Sequence, residues 1–146
     1  MQTYSLAAVA AILGGVPATG FGKDDAITIT PIGDTFTLEE GVDGGAIRCY
    51  TASKTADIKL TLLQSSPYND YLSSLYNADV ISSDLTQGGA GVVPFLLNDL
   101  NGTTLVKAGA AFICKPPEVR RTKESSDVVW MLKAAECRWV VGGQAP

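Results

Sequence analysis

Histidine is missing from the 146 residues altogether. That removes the usual general base, the commonest metal ligand and the side chain that titrates near neutral pH. A Ser–His or Cys–His nucleophile pair cannot form within one chain. Cysteine is scarce: Cys49, Cys114 and Cys137 lie far apart and form no CxxC, which argues against a thiolate zinc site. Each sits in a strand-like apolar context and is expected as a small buried hydrophobe, which suits a reducing compartment such as a bacterial cytoplasm. Charge is also sparse, at 18% of residues, and the balance is −4. A chain whose main task is gripping DNA or an acidic membrane would have the opposite sign. Long apolar runs are absent. Leu6–Leu13 (LAAVAAIL) is too short to span a bilayer, and the first basic residue is Lys23, so it does not read as a signal peptide. It is expected as a buried N-terminal strand with Tyr4, Leu6, Ala8, Ala10 and Ile12 on one face.

What is present points to a β-rich domain. Hydrophobic residues make up 46% of the chain, enough for a core in one domain covering 1–146, and the 15 glycines suit many tight turns. Gly14 to Asp25 reads as a Gly/Pro-rich loop. Ala26–Thr30 and Thr35–Leu38 alternate apolar residues with Thr, with a turn at Pro31-Ile32-Gly33-Asp34. Glu39–Gly45 reads as an acidic loop. Ala46–Thr51 is expected to pair with Ile58–Leu63, where Ile58, Leu60 and Leu62 alternate with Lys59 and Thr61. The period then changes. Ser66 can cap a helix start, Pro67 suits the first helical position, and Tyr68, Tyr71, Leu72, Leu75 and Tyr76 share one helical face. The helix is expected over about Pro67–Asn77, followed by a small, polar loop over Val80–Gly91. Val92–Asp99 contains Pro94, which prefers a sheet edge or bulge. Asn101-Gly102 is the strongest short hairpin signal and should join that strand to Thr104–Cys114. The final strand is expected over Ser126–Val141, where Trp130 and Trp139 have opposite parity. Either a bulge near Ala134-Ala135 resets the register or both faces of the strand are covered, and the bulge is the favoured reading. No internal repeat is visible.

Motifs for chemistry fail one by one. Gly22-Lys23 lacks the earlier glycine and the following Ser/Thr of a phosphate loop, since Pro17 and Asp24 stand there. Gly88–Gly91 has no strand-to-helix context. Asn101-Gly102-Thr103 fits a glycosylation acceptor, which only secretion would make relevant. Asp24-Asp25 and Glu39-Glu40 are neighbours pointing to opposite faces if extended, and read as solvated charges. Catalytic, cofactor-binding and metal-ligating residues are therefore expected to be absent. The loop from Lys115 to Glu124 holds four of the eleven basic residues without interleaved aromatics, so it does not read as a nucleic-acid patch. Its Arg120, Arg121 and Lys123 could instead pair with the acidic Asp24, Asp25, Glu39, Glu40 and Asp43 of a neighbouring copy. Complementary patches on different faces make a head-to-tail contact that closes a ring or extends a filament.

Taken together, Ala26–Thr30, Gly41–Gly45, Ile58–Leu63, Ser65-Ser66-Pro67, Leu72–Tyr76, Phe112–Pro117 and the run from Lys123-Glu124 to Trp130 resemble the tail tube proteins of contractile-tailed bacteriophages. The similarity runs from about Ala26 to Val141. It implies a mainly β fold: a two-sheet antiparallel β-sandwich or barrel with one flanking α-helix. It also implies a structural virion protein without cofactor or enzyme activity. Six copies would form a ring, rings would stack into a tube assembled in the bacterial host cytoplasm, and sheath contraction would drive it. Partners would be further copies, the tail sheath, the tape measure and baseplate or terminator proteins. DNA would pass without specific binding, helped by the acidic balance, and no membrane anchor is expected. The apolar N-terminal stretch departs from the family pattern. Two alternatives stay open: a tube subunit of a secretion or contractile-injection machine, and a monomeric β-barrel binding a small apolar ligand.

Overall fold

A computed structural model describes residues 9–22, 26–85, 88–99 and 102–142. Its strands are β1 (Val9–Leu13), β2 (Val16–Pro17), β3 (Ile27–Pro31), β4 (Phe36–Glu40), β5 (Ala46–Tyr50), β6 (Ala56–Leu63), β7 (Val93–Asp99), β8 (Leu105–Lys115) and β9 (Asp127–Val140). A single helix among the described residues, α1 (Tyr68–Leu85), stands between β6 and β7. Seven strands form one antiparallel sheet in the order β2-β1-β7-β8-β9-β6-β3, and β4 and β5 form a separate two-stranded ribbon. The mainly antiparallel fold with one helix is thus as expected, with the strands divided unequally between its two sheets.

The core forms where the helix meets the sheet. Ile58, Leu60 and Leu62 of β6 are fully buried beside Trp130 and Leu132 of β9. Tyr68 and Leu72 bury their side chains from the helix, and Tyr71, Leu75 and Tyr76 pack at the margin, so the spacing of three and four identified the docking face. The helix start is built as its residues require. Ser66 Oγ accepts from Tyr68 N–H (3.3 Å) and donates to the Thr19 carbonyl (2.7 Å), tying the cap to the chain before β3. Gly20 is needed there: its φ is +71°, and a Cβ would lie 2.7 Å from Ser66 Oγ. Asn69 couples the first turn to the sheet, donating to the Leu63 carbonyl (3.0 Å) and accepting from Trp130 Nε1–H (3.0 Å).

The helix runs about two turns past Asn77, through residues expected as a loop. Val80 and Ile81 are β-branched and Ser82 and Ser83 are weak helix formers, which is why the segment read as non-helical. Within the helix, the Ser82 hydroxyl donates to the Asp79 carbonyl (3.0 Å), so its polar side chain is satisfied without breaking the turn. The N-terminal strand is present, but its buried side chains are Ala11 and Leu13, the opposite parity to Ala10 and Ile12. Tyr4, Leu6 and Ala8 lie outside the described residues. Gly14 and Gly15, expected in a loop, both have positive φ and make a two-residue turn that returns the chain into β2. Tyr71 and Tyr68 secure this hairpin, donating to the Leu13 and Val16 carbonyls (2.9 Å each).

β7 and β8 pair as expected, and Gly102 N–H donates to the Asp99 carbonyl (3.2 Å). Gly102 therefore ends that turn instead of occupying its centre, and Asn101 lies outside the described residues. No bulge falls at Ala134-Ala135, which pair with Ala111 and Ala110 in an unbroken register; the buried parity of β9 changes instead at Glu136, whose φ is +58°. Trp130 and Ala134 before it and Cys137 after it are all buried. The β8–β9 pairing keeps one register across this point, because Gly109 opposite Glu136 changes parity with it. In β7 the irregularity falls at Pro94, which lacks an N–H and sits where the register to β8 shifts. Pro94, Gly109 and Glu136 thus form a line of kinks across three adjacent strands.

Candidate assembly surface

The pairing of β4 and β5 corrects two expectations. Ala46–Thr51 does not pair with Ile58–Leu63; β6 lies between β3 and β9 instead. The acidic residues Glu39 and Glu40 are in β4, not in a loop. The β4–β5 ribbon continues the β3–β6 pairing outward from the large sheet, with interruptions at 32–35 and 51–55. Two backbone bonds, Ile32 N–H to the Thr55 carbonyl (3.0 Å) and Thr51 N–H to the Thr35 carbonyl (2.8 Å), carry the pairing through the break. The outer part is an arm about 17 Å long from its five-residue strands. Its tip closes through Gly41 N–H to the Gly45 carbonyl (2.7 Å), with Asp43 Oδ1 accepting from Gly45 N–H (3.1 Å).

This arm is exposed along nearly its whole length although much of it is apolar. Leu38 and Ile47 are each 66% exposed, and Phe36 and Tyr50 are at least half exposed. The register puts Phe36 opposite Tyr50 and Leu38 opposite Arg48 on one face, and Glu39 opposite Ile47 on the other. On the first face the Arg48 guanidinium carbon sits 3.8 Å from the centre of the Phe36 ring, whose centroid is 5.5 Å from that of Tyr50. Aromatic and Arg side chains in one cluster are the composition that dominates protein–protein contacts. Sequence patterning does not single out these residues, because the alternation of Ala46–Thr51 suits either neighbouring strand as its partner. The signal was present in two alternating runs flanking Gly-Val-Asp-Gly-Gly.

The residues expected to carry self-assembly are only partly brought together. Glu39, Glu40 and Asp43 share the arm and its tip. Arg120, Arg121 and Lys123 occupy the exposed segment between β8 and β9, where Arg121 Nη1 donates to the Arg120 carbonyl (3.0 Å). Asp24 and Asp25 lie outside the described residues. Among the described residues no ion pair joins the acidic arm to the basic segment; the pair that forms is Lys133–Asp57 at 3.5 Å, on neighbouring strands. Among the described residues, then, the two charge clusters do not neutralise each other within one copy.

No group of three or more Cys, Asp or Glu converges as a metal site among the described residues. Burial pushes the Cys137 thiol above its ordinary value, the opposite of an activated thiolate. The cysteines are less uniform than expected: Cys137 is buried, Cys49 is half-buried on the arm and Cys114 is exposed. No described helix is long and apolar enough to cross a membrane.

Comparison with known proteins places this geometry. The family described as "Bacteriophage PhiTE tail tube protein" matches residues 1–142. The chain belongs to this tail tube family. Structural protein ORF10 of Pseudomonas phage KPP10 is 27% identical over 127 residues, covering 86% of this chain and 70% of the relative. Among solved structures, the tube terminating cap of the anti-feeding prophage superposes with a TM-score of 0.61 at 11% identity, over 99% of this chain and 93% of that one. The sheath/tube terminator of the PVC extracellular contractile injection system, in the extended state, gives a TM-score of 0.55 at 10% identity, with coverages of 97% and 99%. A chain of the PVC sheath–tube complex gives 0.52 at 10% identity, covering 94% and 93%. At these identities the structures show a shared fold. The tail tube protein is a structural component of the phage virion and not an enzyme.

Proposed function

We propose that copies of this tail tube protein close into rings, most simply hexameric, and that the rings stack into the inner tube of a contractile tail. Phage DNA passes through its lumen. The observation that carries this reading is the β4–β5 arm, an extended element rich in exposed apolar side chains that no other described strand or helix covers. A monomer gains nothing by exposing Phe36, Leu38, Ile47 and Tyr50 together, whereas a neighbouring copy can bury them. The large sheet adds to the case, because its outer strands β2 and β3 carry backbone groups that pairing between subunits would satisfy.

In this reading the acidic residues Asp24, Asp25, Glu39, Glu40 and Asp43 and the basic residues Arg120, Arg121 and Lys123 contribute to complementary surfaces that meet head to tail between copies. The tail sheath surrounds the tube, the tape measure occupies it before ejection, and terminator and baseplate proteins close its ends. The net charge of −4 suits a channel that lets DNA slide. The fold shared with chains of contractile injection systems supports a contractile setting and keeps a tube subunit of such a machine as the second reading. Negative-stain microscopy of the purified protein and of intact virions tests the proposal. Rings or tubes from the protein alone, with matching density in the tail, are the expected result. Absence of both would overturn it.

A further inference from the structure

The line of kinks at Pro94, Gly109 and Glu136 opens a groove in the sheet of about 410 Å³. Its apolar lining includes Ile12, Pro94 and Leu96, and its polar lining includes Lys107, Glu136 and Arg138. Having no Cβ, Gly109 lets the Glu136 carboxylate fold in close over β8. Lys107 and Arg138 are directly opposite each other on β8 and β9, both exposed. Like charges facing across a strand pair repel, and among the described residues neither has an acidic side chain within ion-pair distance. Two cations against the single carboxylate of Glu136 leave the groove positive, in a chain that is otherwise acidic.

We infer that this groove receives the tip of the β4–β5 arm of a second copy, with Lys107 and Arg138 pairing Glu39, Glu40 or Asp43 while Leu38 or Val42 covers the apolar floor. Charge and polarity both favour this occupant. The segment from Phe36 to Tyr50 carries three carboxylates, and its one cation, Arg48, is engaged over Phe36. Leu38 and Val42 are among its most exposed side chains. The groove also lies beside the root of its own arm, because Cys137 N–H donates to the Lys54 carbonyl (3.0 Å). Each copy therefore presents a socket where its own arm departs. A tip-to-socket contact then repeats from copy to copy without a symmetric pairing.

The inference rests on the self-assembly reading but assigns the arm a receptor other than the Arg120–Arg121–Lys123 segment, and the experiment separates them. Assembled wild-type protein, mixed from isotopically light and heavy copies, is treated with a zero-length carbodiimide that joins Lys amines to carboxylates. Mass spectrometry then reads the mixed-isotope links. Links from Lys107 to Glu39, Glu40 or Asp43 are expected. Links from Lys123 to these carboxylates with none from Lys107 would overturn the socket while leaving self-assembly intact. Failure of the wild type to assemble under any condition, with no tube density in virions, would overturn both. In parallel, Lys107→Glu/Arg138→Glu should raise the concentration needed for assembly about tenfold or more. Adding Glu39→Lys/Glu40→Lys to the same chain should recover most of that loss. Wild-type assembly by the double variant, or no recovery in the quadruple variant with its melting temperature intact, would refute the contact.

Discussion

Truncating the arm's apolar side chains should weaken assembly while leaving the fold untouched, and the size of the effect follows from their exposure. Leu38 and Ile47 are each 66% exposed. Burying such a side chain completely is worth about 1.5–3 kcal/mol, so covering the exposed part offers roughly 1–2 kcal/mol per residue. The entropy of association is common to variant and wild type and cancels in the comparison. Leu38→Ser or Ile47→Ser should therefore raise the critical concentration for polymer formation by roughly 5- to 30-fold. The same residues contribute little to the folded monomer, so unfolding free energy should move by no more than about 0.5 kcal/mol. Sedimentation across a concentration series reads the first quantity and urea denaturation the second. The two faces of the arm provide an internal control, since Leu38 shares one with Phe36 and Arg48, and Ile47 shares the other with Glu39. If only one face docks, only one variant shifts. Wild-type critical concentrations in both would refute the claim that this surface is covered in the assembly.

Other perturbations follow from single contacts. Asn69→Ala leaves the buried Trp130 Nε1–H without its acceptor and removes the bond to the Leu63 carbonyl, which should cost about 1–3 kcal/mol in urea denaturation. Asn69→Asp keeps the acceptor and should recover part of it. Burial, reinforced by neighbouring Tyr71, pushes the Tyr68 phenol well above its ordinary value. The unfolded chain therefore releases this proton first, at about pH 10, and stability that is constant below that point should fall by about 1.4 kcal/mol per pH unit above it. Tyr68→Phe, which cannot titrate, should lose that component of the alkaline slope; an identical slope in urea titrations between pH 9 and 11 would contradict the assignment. Arg120→Glu/Arg121→Glu should shorten polymers in electron micrographs without lowering the melting temperature, and unchanged lengths would exclude that segment from the contact.

Local signals were legible where short-range physics decides the structure. Ser66, Pro67 and the aromatic spacing from Tyr68 to Tyr76 located the helix and its buried face, because capping and a 3.6-residue period are encoded within a few turns. The alternation of Ile58, Leu60 and Leu62 marked the central core strand, and the parity of Trp130 and Trp139 announced the change of buried face at Glu136, though not its mechanism, since no bulge shifts the register there. Partner choice between strands was not legible. Ala46–Tyr50 alternates equally well for a hairpin with β4 or with β6, and only the closure of the tip at Gly41 and Gly45 settles the pairing. The candidate surface was hidden for the same reason: Phe36, Leu38, Ile47 and Tyr50 have core-like composition, and composition does not say that a strand leaves the core. The acidic and basic clusters were visible as charges, but their position relative to the arm required the fold. The groove beside Lys107 and Arg138 arises from coincident kinks on three strands, which no window of sequence contains.

A three-dimensional reconstruction of the tail from intact virions tests the central claim most directly. The account predicts a tube whose repeating unit is this seven-stranded sheet, with the β4–β5 arm of each copy buried against another copy. A tube built from a different chain, or one in which the arm stays exposed to solvent, would contradict it.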